Sequence, residues 1–131
     1  MVASRLAAED PLGGVAAAER ALRRFESDPA AWVLLGVARE SAFQIRNALV
    51  AYELALMLEE RADAAMAAGR LYSQLGDHAT AGARFARAYA AGAGLDALEA
   101  NAAALRAAGD QDAAQQAVEL WERETGRSWS D

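Results

Sequence analysis

Residues 71–90 read LYSQLGDHATAGARFARAYA, two runs rich in Ala and apolar side chains flanking a single Gly76-Asp77 pair. A Gly after one helix supplies the left-handed residue that ends it. An Asp before the next helix accepts from the free N–H groups of its first turn. Alone, such a pair marks only a helix-turn-helix corner. It returns, however, as Gly109-Asp110 within LRAAGDQDAAQQAVELW, and the spacing of 33 residues (109 minus 76) falls in the range of stacked repeats.

Working outward at that spacing, further positions line up. Trp32, Ala65 and Leu98 correspond, as do Gly36, Gly69 and Ala102, then Arg39, Tyr72 and Leu105. On the second helix of each unit, Ala48, Ala81 and Ala114 correspond, followed by Tyr52, Phe85 and Val118, and by Ala55, Ala88 and Trp121. Ala81, Phe85 and Ala88 stand at i, i+4 and i+7 and so share one helix face. Small residues on such a face let two backbones approach, and one aromatic fills the space between helices.

This pattern resembles the tetratricopeptide repeat, whose signature sets Trp, then Leu-Gly, then Tyr on the first helix and Ala, an aromatic and Ala on the second. WVLLGVAR matches through Trp32, Leu35 and Gly36. GRLYSQLGDHATAGARFARA matches through Gly69, Tyr72, Gly76, Asp77, Ala81, Phe85 and Ala88. The chain departs from the family in its period, which is usually about 34, and in carrying Glu60 and Ala93 where a closing Pro belongs. Phe43-Gln44 replaces the Gly-Asp corner of the first unit, which is therefore expected to turn in a longer or different shape. In the third unit Asn101 replaces an apolar or small residue, and Trp121 takes a small-residue position. Ankyrin repeats share the period, but no segment like Thr-Pro-Leu-His occurs.

The resemblance implies an all-α solenoid in one domain, residues 1–131, with helix-turn-helix repeats over 30–61, 62–94 and 95–126 and a frayed tail over 127–131. Residues 1–29 are read as a degenerate fourth repeat. Its short first helix lies within residues 2–10, Gly13-Gly14 form its turn, and Ala18, Leu22 and Phe25 occupy the places of Ala48, Tyr52 and Ala55.

Composition bounds the function. A chain of 131 residues supports one compact domain or a short solenoid. Thirteen basic against 19 acidic residues, a net charge of -6, argue against a non-specific grip on nucleic acid or on an anionic membrane. The basic residues are all Arg, which with the excess of Ala suggests a GC-rich bacterial genome. There is no Cys and one His, so disulfides, thiolate chemistry and a transition-metal site are not expected. MVASRLAAEDPLGG carries no signal-peptide core and no window is apolar enough to span a bilayer, so a soluble, cytoplasmic protein is expected.

Gly-rich phosphate loops, Gly-x-Ser-x-Gly and His-Glu-x-x-His are missing, and no enzyme is expected. His78 opens a helix after Asp77 and is read as packing. Glu9, Asp10 and the LEERAD segment are read as solvated charge at helix ends and a repeat junction. What remains is a surface. At about 100° per residue, Val33, Val37 and Ser41 point away from Trp32, Leu35, Gly36 and Arg39, and the matching residues of the next units are Met66, Arg70 and Gln74, then Glu99, Ala103 and Ala107.

In tetratricopeptide proteins the first helices line a concave groove that holds a partner segment. The resemblance therefore implies a partner groove of Val33, Val37, Ser41, Met66, Arg70 and Gln74, without catalytic, cofactor or metal residues. Among the central positions only Arg70 is basic, too few for a carboxylate clamp, so the expected ligand is an apolar helix or extended protein segment. The function expected is that of an adaptor or small chaperone. The alternative is a self-assembling structural subunit, in which the same stripe or the ends of the solenoid meet a second copy as a homodimer or a stack.

Overall fold

The computed structural model describes residues 10–130. Among them are seven α-helices and no strand: α1 (Pro11–Arg24), α2 (Pro29–Ser41), α3 (Ile45–Leu58), α4 (Ala62–Gln74), α5 (His78–Ala90), α6 (Leu95–Ala107) and α7 (Gln111–Thr125). The fold is all-α and built of helix pairs that pack in sequence order. It divides into two compact units, with the boundary at Ala64/Ala65 in the first turn of α4.

Local chemistry sets the helix starts. Both prolines open a helix, where their missing N–H is not needed, and each follows a capping Asp. Asp10 accepts from Gly13 N at 3.2 Å and Asp28 from Ala30 N at 2.9 Å. The Asp10-Pro11 start overrides the expected turn at Gly13-Gly14: both glycines lie inside α1, and Gly14 is buried. The first helix expected for residues 1–29 falls almost wholly on residues 1–9, outside the described residues.

In the first unit α2 packs on α1 and on α3. Val15, Ala18, Leu35, Ala38 and Ala51 form its core, with Leu22 and Trp32 against it. Trp32 is half-buried and its Nε1 donates to Glu26 O at 2.8 Å, so the indole keeps a polar partner while its ring packs inward. Tyr52 is 1% exposed, lies against Gly36 and donates its hydroxyl to the Glu40 carboxylate.

The second unit repeats the device. Phe85 of α5 lies against Gly69 of α4, in a cluster with Ala81 and Ala104. Asn101, the polar residue at an apolar position, is buried on α6, and its Nδ2 donates to Gly82 O of α5 at 2.7 Å. The hydrogen bond offsets the cost of burying the amide and ties the two helices together.

The corners show what a Gly-Asp pair supplies. Gly76 and Gly109 have φ of 84° and 86°, and Asp77 and Asp110 accept from Thr80 N and Ala113 N. Behind them Asp77 N donates to Tyr72 O and Asp110 N to Leu105 O. The first corner closes in the same way, with Gln44 N on Arg39 O at 2.8 Å. It is neither longer nor different in shape. Phe43 takes the glycine's place at φ 60°, and Gln44 makes no side-chain cap. A left-handed conformation costs a non-glycine residue roughly 1 to 2 kcal/mol.

Candidate functional site

The six residues expected to line a groove fall in two rows, one in each unit. Val33, Val37 and Ser41 stand at i, i+4 and i+8 on α2. Val33 and Ser41 are half-buried, Val37 is 39% exposed, and Ser41 Oγ donates to Val37 O at 3.2 Å. This row is a shallow apolar strip whose one hydroxyl is turned to its own helix.

Met66, Arg70 and Gln74 form the corresponding row on α4. Arg70 and Gln74 are exposed. Met66 is half-buried and packs against the Ala81, Phe85 and Ala104 cluster beside Tyr72, whose ring also carries the Arg84 guanidinium 5.6 Å from its centroid. Met66 therefore serves the core of its own unit as well as the surface.

Of the third row on α6, Glu99 and Ala103 face the chain's own C-terminal segment, while Ala107 is exposed. Glu99 accepts from Trp121 Nε1 at 3.0 Å. With Ala103, Trp121 and Arg127 to Ser130 it lines a cavity of about 530 Å³. The expected frayed tail is folded back: Trp129 meets Trp121 edge-on with centroids 5.2 Å apart, and Arg127 lies over the Trp121 ring. Trp129 N donates to Glu122 Oε2 at 3.0 Å. A Trp so close to the end of a polar segment was the one sign of this contact in the sequence.

The remaining charged candidates resolve into local structure. Arg61 and Asp63 of the LEERAD segment pair through two hydrogen bonds of 3.0 and 2.9 Å, which hold the Asp63 carboxyl below its ordinary pKa and raise that of the guanidinium. His78 is half-buried at the start of α5. Among the described residues no cluster of His, Asp and Glu could hold a metal ion, and no helix is long and apolar enough to cross a membrane.

Fold and surface define a helical-repeat protein with side-chain rows on the first helices of its repeats. No family model matches the chain and no curated protein matches it in sequence. Among solved structures it is similar to a crystal structure of MamA protein, with TM-score 0.74 and 17% identity over 92% of this chain and 70% of that one. A second crystal structure of MamA is similar with TM-score 0.72 and 20% identity, over 89% of this chain and 72% of that one. At such identity the likeness establishes a shared fold.

Proposed function

We propose that the chain is a non-catalytic protein-interaction module of the tetratricopeptide type, an adaptor or small chaperone in the bacterial cytoplasm. It holds an apolar helix or extended segment of a partner protein on the first helices of its repeats. The observation that carries this reading is the row on α2. Val33 and Val37 present apolar surface, and the neighbouring Ser41 hydroxyl already donates to the Val37 carbonyl of its own helix, which lowers the cost of covering this row with an apolar side chain. In the second unit, taken by itself, the exposed Arg70 and Gln74 of α4 offer a partner segment polar contacts. A grip on nucleic acid is not part of this reading, given the net charge of -6.

The experiment is co-purification from the native cell, with the captured protein identified and its binding measured against variants. Val37→Glu and Gln74→Glu should leave the fold stable and reduce binding, because a carboxylate at Val37 must be desolvated when an apolar side chain docks. Met66→Glu is a poor probe, since Met66 packs on the Phe85 cluster and its loss would disturb the unit itself. Unchanged binding by both Val37→Glu and Gln74→Glu would remove these rows as the site.

A further inference from the structure

The helix α3, IRNALVAYELALML, has three polar residues, Arg46, Asn47 and Glu53. Its inner face is accounted for by Ala48, Ala51, Tyr52, Ala55 and Leu56, all buried. A second apolar stripe remains, Val50, Leu54, Met57 and Leu58, at i, i+4, i+7 and i+8. Val50 is 53% exposed, Met57 80% and Leu58 48%, and Phe43, seven residues before Val50, is 87% exposed. A helix that is apolar nearly all round belongs in an interior, and α3 has only one side in its own.

The repeats show that the fold does not require this stripe. At the positions 33 and 66 residues later, Phe43 becomes Gly76 and Gly109, Val50 becomes Ala83 and Gln116, Met57 becomes Ala90 and Arg123, and Leu58 becomes Ala91 and Glu124. Phe43 moreover stands at φ 60° where the other corners use glycine. A strained backbone that carries a large exposed ring is explained by what the ring meets.

We propose that the outer face of α3 is a self-association surface, and that its occupant is the same face of a second copy, antiparallel about a two-fold axis near Val50. Two arguments select this occupant. The exposed side chains leave on the order of 500 Å² open, at the upper end for the largest apolar patch of a monomer. Two such patches apposed bury about 1,000 Å², the least that a specific interface needs. The spacing is also self-complementary. Phe43 stands in the corner before α3, and Met57 lies in its last turn about 10 Å beyond Val50, so the two mark opposite ends of the stripe and an antiparallel two-fold near Val50 sets each Phe43 ring toward the Met57 thioether of the second copy. The same operation brings Arg46 beside Glu53 of the second copy, whereas a parallel pair would set like charge beside like. This surface is on α3 and does not depend on the rows of α2 and α4.

The test is sedimentation of the full chain over a wide range of concentration, where a reversible monomer–dimer equilibrium is expected. Phe43→Gly separates association from folding. It should raise the thermal midpoint of the dilute monomer by relieving the backbone, yet weaken dimerisation by about tenfold or more, because each dimer loses two large apolar rings, one at each end of the paired stripes. Because the chain has no cysteine, Val50→Cys on the axis should cross-link to its own copy under oxidation much faster than Gln116→Cys at the matching position of the third repeat. A wild-type chain that stays monomeric at every concentration would overturn the proposal. So would a Phe43→Gly chain that dimerises as tightly as wild type, or equal cross-linking of the two cysteine variants.

Discussion

Gly69 lies so close beneath the Phe85 ring that a Cβ at its position would stand 2.6 Å from Cε1, and Gly36 lies beneath Tyr52 at the same distance. Each pair is separated by sixteen residues (85 minus 69, 52 minus 36) and joins the two helices of one repeat. The absent side chain on one helix is what lets the ring on the other sit flush, so the helices pack through one aromatic and a set of alanines.

Gly36→Ala and Gly69→Ala should each destabilise the fold, although alanine is the better helix former. The gain in helix propensity is at most about 1 kcal/mol, while driving a methyl into a fixed ring costs roughly 1 to 3 kcal/mol. The rings are held by their own burial and cannot swing away. Urea denaturation should show a net loss, and a gain at both sites would mean that the rings are loosely held.

Phe85→Ala should cost roughly 3 to 5 kcal/mol, the range for a buried aromatic whose cavity does not collapse. The alanines around it are already too small to fill the space. A loss below about 1 kcal/mol would contradict the packing of α4 against α5 described above.

Phe43→Gly and Gly76→Ala should move stability in opposite directions. Both positions are left-handed, so glycine relieves the first by up to about 1 kcal/mol and alanine strains the second by a similar amount. No methyl contact complicates Gly76, where a Cβ would meet nothing within 4 Å. Equal signs in thermal denaturation of the monomer would show that the two corners are not equivalent.

Trp129→Ala should lower stability by about 1 kcal/mol, the scale of one edge-to-face aromatic contact, with its effect at the C-terminal end of α7. Hydrogen exchange should quicken there and remain unchanged in α5. Protection equal to wild type would mean that the folded-back segment does not hold the helix end.

Asp63→Asn should cost a fraction of 1 kcal/mol at neutral pH, since the pair with Arg61 is at the surface and is screened. The sign with pH follows from the depressed carboxyl. A folded pKa below the unfolded value, about 3.9, gives stability that is present above that value and is lost as pH falls through the folded pKa. The difference in thermal midpoint between Asp63→Asn and wild type should therefore shrink as the solution is acidified, and a difference that grows would reverse the assignment.

The helix pairs and their Gly-Asp corners were legible in the sequence because they rest on short-range chemistry. A capping Asp, a left-handed Gly and an i, i+4, i+7 face are properties of neighbouring residues, and their recurrence every 33 residues makes the pattern unmistakable. Competition between two local signals was harder to read: Asp10-Pro11 starts α1 and leaves Gly13-Gly14 inside it, because a capped helix start outweighs the entropy cost of two glycines. Phe43 shows the opposite case. Its residue type argues against a glycine-like corner, but the hydrogen bond from Gln44 N to Arg39 O closes only if residue 43 turns left-handed.

What only the tertiary structure decided depends on contacts between distant residues. Periodicity marks α3 as apolar but cannot say which face packs on α2 and which is left open. That choice is made by Gly36, which accepts the Tyr52 ring and so turns Val50 and Met57 outward. Met66 lies at the edge between an inner and an outer face, and it packs on the core because α5 brings Phe85 alongside. The C-terminal segment has no periodicity at all, and its place is set by Trp121, whose exposed edge and face are covered only when Trp129 and Arg127 fold back over them.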